Sequence, residues 1–344
     1  MRARRARILI ALPALLTAAL VWPAASQAFV GCAHSAGTLT VFVTQDDDGA
    51  LIARGGDAIN VIAGGDGGPE VLLACTGGTA TVTNTDQIVV DEAAGAEFTQ
   101  VVFDLNAGPL APGLTPEADG TSEIEVQARM AGEFSFLGIL GTSQDDLFHL
   151  GTESNGATGL NVNAGAEASP DSDFDISQVE LLFLVAGRGN DVIRGRGSPG
   201  FAAPTGVFPF LLAGGGKGRD ELIAGGPMAA FGGTGNDRML GSRFGDLIDG
   251  GGGRDLIKSG RGNDEVQVAR KGRDRVNCGG GRRDKAIVDE KDRLSNCERV
   301  RKPRRFKIPF PPGVIEFAAP ATAGEASAAG LSPGQRRAVM RFFD

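Results

Sequence analysis

Aspartate recurs at a fixed interval in the second half of the chain, and this spacing is the feature best suited to chemistry. From Gly232 to Gln267 the sequence divides into four units of nine residues, GGTGNDRML, GSRFGDLID, GGGGRDLIK and SGRGNDEVQ. The sixth position of every unit is aspartate, and these residues are Asp237, Asp246, Asp255 and Asp264. The eighth position is always apolar, and glycine dominates the first, second and fourth positions. Carboxylates are hard oxygen ligands, so the pattern favours a hard divalent cation.

Weaker copies of this unit flank the central block. AGRGNDVIR, GGKGRDELI, ARKGRDRVN and GGGRRDKAI place their aspartates at Asp191, Asp220, Asp274 and Asp284. GTSQDDLFH, which contains Asp146, is interpreted as a decayed first copy. Three prolines interrupt the register between two copies, so residues 195–212 are predicted to form an inserted loop. A short fixed period of this kind indicates a solenoid in which each unit stacks on its neighbours.

The nine-residue unit resembles the GGxGxDxUx motif of the RTX, or haemolysin-type, calcium-binding repeat family, where U is a large apolar residue. The match covers roughly residues 186–290, about a third of the chain. The resemblance implies a parallel β-roll, a right-handed solenoid whose turns give Ca²⁺ Asp carboxylates and backbone carbonyls. By position, the implied carboxylate ligands are Asp191, Asp220, Asp237, Asp246, Asp255, Asp264 and Asp274. The implied carbonyl ligands belong to Gly232, Gly233, Gly235, Gly250, Gly251 and Gly253.

Several units depart from the motif. Ser242 and Phe244 replace the second and fourth glycines of one unit, and Ser259 replaces the first glycine of the unit after next. The intervals 220–237 and 264–274 each differ by one residue from the strict register. These departures predict weaker calcium sites at the turns concerned.

Physical reasoning supports the same chemistry. If two nonapeptides make one coil, units eighteen residues apart become neighbours, about 4.8 Å from each other across a parallel ladder. Asp237 then stacks over Asp255, and Asp246 over Asp264, and like charges at that distance repel by roughly 1 kcal/mol per pair in water. A divalent ion reverses this repulsion, and flexible oxygen-only cages suit Ca²⁺ better than Mg²⁺. The alternative is that the aspartates only cap β-turns, as in metal-free solenoids, and Asp284 is predicted to cap the stack.

The regions around the repeats are predicted from their patterning. Residues 29–140 alternate apolar and polar positions between Gly and Asp turns, as in 38–43 and 81–83, and predict a β-rich domain. The β-roll is assigned to residues 141–298, and residues 299–344 to a basic, Pro- and Ala-rich tail. Glycine makes up 53 of 344 residues and tyrosine is absent, which favours thin stacked layers over a bulky core. The predicted class is therefore all-β.

Residues 1–28 predict a Sec-type signal peptide, so the protein is expected to be secreted, by a bacterium. Four arginines precede an apolar run from Ile8 to Val21, and Ser26-Gln27-Ala28 forms a small-x-small cleavage site. Removing this segment leaves 30 basic and 42 acidic residues, a net charge of −12, which favours a cation over nucleic acid as partner. The apolar run is short for a membrane span of about 20 residues. A lone anchor helix is the alternative.

The four cysteines of an exported chain suggest two disulfides. Three pairings are possible, and the local ones are favoured, which join Cys32 to Cys75 and Cys278 to Cys297.

Catalytic motifs are not apparent in the sequence. Only His34 and His149 could serve as catalytic histidines, and no GxSxG or HExxH motif accompanies them. Residues 46–48 are interpreted as a hairpin turn, and the alternating aspartates of 171–175 as a solvated turn, with an extra cation site as the alternative. The sequence predicts a non-enzymatic calcium-binding repeat protein with a structural or binding role at cell-surface or matrix components. The alternatives are a Ca²⁺-dependent secreted enzyme with an unrecognised site in the N-terminal β domain, and a membrane-active toxin.

Overall fold

The computed structural model describes residues 30–302, apart from residues 45–47, 66–69, 95, 97–98, 112, 116–123, 133–134, 153–157, 163–171, 180, 197–209 and 269–271. The predicted signal peptide and the tail beyond residue 302 lie outside the described residues, as do Asp46, Asp47 and Asp171.

Two β-sheets of 13 strands each make up the fold. The first sheet contains, in spatial order, β1 (Val30–Ser35), β2 (Thr38–Val43), β6 (Gln87–Glu92), β8 (Glu125–Arg129), β12 (Phe174–Ser177), β11 (Thr158–Val162), β10 (Leu147–Thr152), β14 (Val192–Arg194), β16 (Glu221–Ile223), β18 (Arg238–Leu240), β21 (Leu256–Lys258), β23 (Arg275–Asn277) and β25 (Arg293–Ser295). The second contains β26 (Arg299–Arg301), β24 (Lys285–Ile287), β22 (Glu265–Gln267), β19 (Leu247–Asp249), β17 (Met228–Gly235), β15 (Phe210–Gly218), β13 (Leu181–Arg188), β9 (Ser135–Leu140), β7 (Thr99–Asp104), β3 (Asp48–Gly55), β4 (Ala58–Gly65) and β5 (Val71–Leu72), with β20 (Gly252–Gly253) beside β17.

From β6 onward the chain alternates between the two sheets, except that β10, β11 and β12 all lie in the first sheet and β19 and β20 both lie in the second. Each pair of crossings makes one coil of a solenoid. Most strands pair in parallel with the strand one coil away, as β14 does with β16 and β16 with β18. The antiparallel pairs lie near the N-terminal end and in the coil formed by β10, β11 and β12. The described residues contain no helix, and hence none long and apolar enough to cross a membrane. The predicted all-β class with a parallel roll is confirmed.

The stack is continuous across residue 140, where a domain boundary was predicted. Strand β9 pairs in parallel with β7 on one side and with β13 on the other. One apolar core runs between the sheets from Val30 to Val288. The N-terminal β region and the glycine-rich roll are therefore successive parts of one solenoid.

Some predicted boundaries and strands differ from the structure. Residues 81–83 form an isolated bridge and a turn, because the Asn84 side chain accepts the Thr81 N–H at 2.7 Å and closes the chain on itself. Strand β15 begins at Phe210, inside the predicted loop 195–212. Residues 299–301, predicted from their charge as tail, form β26, because the free edge of β24 offers backbone hydrogen bonds whatever the side chains are.

The eighth position of the repeat builds the core of the roll. These residues stack in register as two columns, one in each sheet, and each column adds one apolar side chain per coil. Met239, Ile248, Ile257 and Val266 are all 0 % exposed. Because the core is only one residue thick per strand, each coil buries little apolar area and depends on its turns for stability.

The coils before the glycine-rich roll are thicker. Side chains of β9 and β13 belong alternately to the interior core and to a second apolar cluster. The second cluster lies on the opposite face of the sheet, because successive side chains of a strand point to opposite faces. Phe136 and Phe183 anchor this second cluster, with their rings 5.9 Å apart. Apolar packing on both faces explains why these two strands are continuously hydrophobic in the sequence.

Both predicted disulfides form, one at each end of the solenoid. Cys32 in β1 is bonded to Cys75, which follows β5. Cys278 and Cys297 join the turn before β24 to the turn before β26, and so tie the last coil to the one before it. An end coil has a neighbour on one side only, and a covalent link offsets that missing contact.

Glycine conformation makes the close stacking of coils possible. Gly235 has φ of 147°, a region closed to other residues, and a Cβ at this position would collide with the carbonyl oxygen of Gly218 in the neighbouring coil. Gly56, in contrast, has φ of 67° but open space around its Cα.

We expect the double variant Cys278→Ser/Cys297→Ser to lose roughly 3 kcal/mol of stability in the last coil, the cost of opening a loop of this size. Hydrogen exchange in saturating calcium should show faster exchange in β25 and β26 and no change in β2. Equal protection of the last coil in the variant and the native protein would contradict a clamping role.

Gly235→Ala is expected to destabilise the roll by about 3 kcal/mol or more, because backbone strain adds to the collision with Gly218. Gly56→Ala is the matched control, with strain alone, and should cost roughly 1 kcal/mol. Chemical denaturation at saturating calcium measures both. Similar losses for the two variants would show that contact between coils is not what demands glycine.

Candidate metal centre

The aspartates of the repeat lie along two edges of the roll. The first edge consists of the turns that lead from the second sheet to the first, at residues 141–146, 187–191, 216–220, 233–237, 251–255, 272–274 and 288–292. The second edge consists of the turns that lead back, at residues 241–246, 259–264, 278–284 and 296–298. In most of these turns the last residue is an aspartate, which stands immediately before the next strand.

Each aspartate side chain bridges two coils. On the first edge, Oδ1 accepts the backbone N–H of the aspartate one coil earlier. The donor and acceptor pairs are Asp146 to Asp191 at 2.7 Å, Asp191 to Asp220 at 2.9 Å, Asp220 to Asp237 at 2.9 Å, Asp237 to Asp255 at 2.9 Å, Asp255 to Asp274 at 2.8 Å and Asp274 to Asp292 at 3.0 Å. Carboxylates of successive coils therefore form a continuous ladder, in which Asp237 stacks on Asp255 as the spacing predicts.

A second, shorter ladder runs along the second edge. Its donor and acceptor pairs are Met228 to Asp246, Asp246 to Asp264, Asp264 to Asp284, and Asp284 to Oε2 of Glu298, each at 2.9 Å. The uneven spacing does not break either ladder, because turns and loops of different length absorb the extra residues. Asp284 lies inside this ladder, and Glu298 is the carboxylate at its end.

Five aspartates keep one carboxylate oxygen buried and without a hydrogen-bond partner. These oxygens are the Oδ2 atoms of Asp191, Asp220, Asp237, Asp255 and Asp264. All five residues are at most 2 % exposed. A buried carboxylate without compensation costs several kcal/mol, so these atoms require a proton or a cation. Four of the five lie on consecutive turns of the first edge.

Where the first residue of the unit is glycine, the unpartnered Oδ2 points back into its own turn. A Cβ built on Gly232 would lie 2.6 Å from Oδ2 of Asp237, and one on Gly250 would lie 2.7 Å from Oδ2 of Asp255. In these two turns the first glycine leaves room for the carboxylate, which occupies the space of a side chain. Six glycine carbonyls were predicted as ligands, and these glycines lie in the same two turns or directly before them: Gly232, Gly233, Gly235, Gly250, Gly251 and Gly253.

Burial raises the pKa of eight aspartates in the ladders, and neighbouring carboxylates raise most of these further. The pKa is raised to about 7 for Asp191, Asp220, Asp246 and Asp255, and to about 6 for Asp237, Asp264 and Asp274. Burial also raises the pKa of Asp284, whose Oδ2 accepts the Gly281 N–H at 3.2 Å. Near neutral pH the ladders therefore carry negative charge that the surrounding protein does not compensate.

The chemistry of the donors fits calcium. Within the described ranges, no three His, Cys, Asp or Glu side chains converge on one point. A metal ion would therefore have to complete its shell with backbone carbonyls. Carbonyl and carboxylate oxygens in a flexible arrangement are what Ca²⁺ prefers, whereas transition metals prefer nitrogen and sulfur ligands.

Asp246, a predicted ligand, has a different environment. Its Oδ2 accepts the Ser242 N–H at 2.6 Å, and the Ser242 hydroxyl lies 3.0 and 3.2 Å from its two carboxylate oxygens. Thr142 contacts Asp146 in the same way. These hydroxyl contacts were not foreseen from the sequence, and neither was Asp292, although it lies eighteen residues after Asp274.

The two histidines and the other acidic residues lie outside the ladders, and both ring nitrogens of His149 are buried without a hydrogen-bond partner. Nε2 of His34 lies 3.2 Å from the Thr85 hydroxyl. His149 is buried in β10, and burial lowers its pKa. Asp173 accepts the Val162 N–H, and Asp175 accepts the Ser172 hydroxyl at 3.1 Å. The structure therefore does not bring these residues into the carboxylate ladders.

Comparison with known proteins gives the repeats their identity. Residues 183–198 and 231–266 match the family model of the RTX calcium-binding nonapeptide repeat, in four copies. No curated protein and no solved structure matched the chain. The matched residues contain four of the five aspartates with an unpartnered oxygen, together with Asp246. Over these residues the chain thus carries RTX calcium-binding nonapeptide repeats.

Proposed function

We propose that this protein is an extracellular scaffold whose roll folds and becomes rigid when it binds calcium along its aspartate ladders. The five buried Oδ2 atoms without a partner are the observation that carries this proposal. Asp191, Asp220, Asp237 and Asp255 on the first edge and Asp264 on the second are the proposed carboxylate ligands, and Asp274 extends the first row. The carbonyls of the glycine turns complete the shells.

Calcium would supply the positive charge that the ladders lack. Without it, the carboxylates of successive coils repel each other and keep oxygens buried away from water. The one-residue core offers little apolar burial against the entropy of ordering so many glycines. Binding of the ion and ordering of the coils are therefore expected to be coupled.

The proposed extracellular location follows from this dependence on calcium. Calcium is scarce inside cells and abundant outside, so a roll of this kind would stay unfolded until export. Two disulfides and a predicted signal peptide are consistent with a secreted protein. We propose a structural or binding role, in which the rigid roll presents the N-terminal coils to cell-surface or matrix components.

The full mature chain is expected to gain β-structure on addition of about 1 mM Ca²⁺ and to lose it with a chelator. Asp255→Asn should reduce calcium affinity by roughly tenfold or more at one site, since it removes a charged ligand. Asp284→Asn should have a smaller effect, because Oδ2 of Asp284 already accepts a backbone N–H. Circular dichroism and calorimetric titration measure both.

Identical circular dichroism spectra with and without calcium would overturn the coupling of folding to the ion. Equal calcium isotherms for the two variants would remove the distinction between unpartnered and hydrogen-bonded carboxylates.

Calcium affinity is expected to fall when the pH is lowered from about 7.5 to about 5.5. Because burial raises the pKa of Asp255 to about 7 and that of Asp237 to about 6, protons occupy these carboxylates at the lower pH and compete with the ion. The stability of the metal-free roll is expected to have the opposite pH dependence. A carboxylate whose pKa is raised on folding contributes most stability below its unfolded pKa, and that contribution is lost as the pH rises through the folded pKa.

Calorimetry at the two pH values measures the affinity, and circular dichroism in chelator at the same pH values measures how much of the metal-free roll forms. The Asp255→Asn variant is the control and should have a shallower pH dependence. An affinity that is the same at both pH values would show that the ladder carboxylates are not the ligands.

A further inference from the structure

The turn at residues 241–246 donates hydrogen bonds to the carboxylate of its own aspartate, Asp246. Ser242 stands where the motif has its second glycine, and it gives Oδ2 of Asp246 a backbone N–H at 2.6 Å and a hydroxyl at 3.0 Å. The same hydroxyl accepts the Phe244 N–H at 2.9 Å. Oδ1 of Asp246 accepts the Met228 N–H of the neighbouring coil at 2.9 Å. Both carboxylate oxygens are therefore hydrogen-bonded, although Asp246 is fully buried.

The same arrangement recurs on the other edge. Thr142 donates its N–H to Oδ2 of Asp146 at 2.7 Å, and its hydroxyl lies 3.1 Å from that oxygen. The hydroxyl also accepts the Gln144 N–H at 3.0 Å. Two turns with unrelated residues at the third, fourth and fifth positions thus share one hydrogen-bond pattern. Their common feature is a hydroxyl residue second and an aspartate sixth.

Glycine turns lack this pattern. Gly233 and Gly251 take the second position with φ of 97° and 79°, and Oδ2 of Asp237 and of Asp255 has no donor. Ser242 is not among the residues with positive φ. In its conformation the second N–H points at the carboxylate, into the space that an ion would need. Because two donors approach Oδ2 from one side, a cation cannot bind Oδ2 from that side.

We propose that, in the units that contain Asp237, Asp246 and Asp255, the residue at the second position decides whether the turn binds calcium. Glycine leaves Oδ2 available to the ion, and serine or threonine replaces the ion with a hydroxyl and a backbone N–H. This inference rests on the proposed calcium-binding function and assigns it to particular turns. Asp246 is then not a calcium ligand, although the repeat motif places it among the ligands, and the 241–246 turn holds its shape without metal.

A pair of double variants of the full mature chain tests this assignment. Ser242→Gly/Phe244→Gly restores glycine at the second and fourth positions, and native mass spectrometry in saturating calcium should count one more ion than in the native protein. Arg243→Gly/Phe244→Gly is the matched control, because it introduces the same number of glycines into the same turn but keeps the serine. The ion count of this control should be unchanged.

Single variants of the native turns provide a test that does not require a new site to form. Asp246→Asn should keep the native ion count, whereas Asp237→Asn should bind one ion fewer or bind it at least tenfold more weakly in a calorimetric titration. Loss of an ion in Asp246→Asn, or no gain in the Ser242→Gly/Phe244→Gly variant, would overturn the assignment. A native protein that binds no calcium at all would instead refute the proposed function.

Discussion

A carboxylate that bridges consecutive coils is the interaction on which the roll depends. Its Oδ1 accepts the N–H of the last residue of the turn one coil earlier, as Asp255 does for Asp237. This bond requires the side chain to lie inside the edge, away from water, and so its second oxygen is buried as well. The glycines, the hydroxyl turns and the proposed calcium dependence all follow from that one placement. Glycine makes room for the carboxylate, and either an ion or a hydroxyl balances its second oxygen.

Contacts in the solenoid are local along the stack, and this explains where other stabilising features occur. Each coil touches only its two neighbours, so the terminal coils are the least supported. The disulfides Cys32–Cys75 and Cys278–Cys297 lie at these two ends. In the middle, β9 and β13 add an apolar cluster on the outer face of the second sheet. Coils that have this extra burial depend less on the turns than the three-residue strands that follow them.

The sequence was most informative where one unit repeats and least informative where coil length varies. A nine-residue period predicted the parallel roll, the apolar columns of Met239 and Ile248, and the stacking of Asp237 on Asp255. The same solenoid continues through residues 30–140, but coils of unequal length leave no period there, and the strands alone indicated only a separate β domain. Strand β26 was missed because pairing with an exposed edge depends on the backbone, and its charged residues resemble those of a tail.

In the metal centre, the sequence likewise did not reveal what some single side chains do. Ser242 was recognised as a departure from glycine, but its role depends on where the Asp246 carboxylate lies, and spacing alone does not give that position. Ser242 and the Asp246 carboxylate are in contact in the structure, and this contact explains the order of the turns along each ladder. Each ladder begins with a hydroxyl turn, at Thr142 on the first edge and at Ser242 on the second, and glycine turns follow toward the C terminus. A turn that is complete without metal can present an ordered Asp N–H to the carboxylate of the next coil. Under the proposed function, calcium would then have to organise only the coils that follow, each against a neighbour that is already in place.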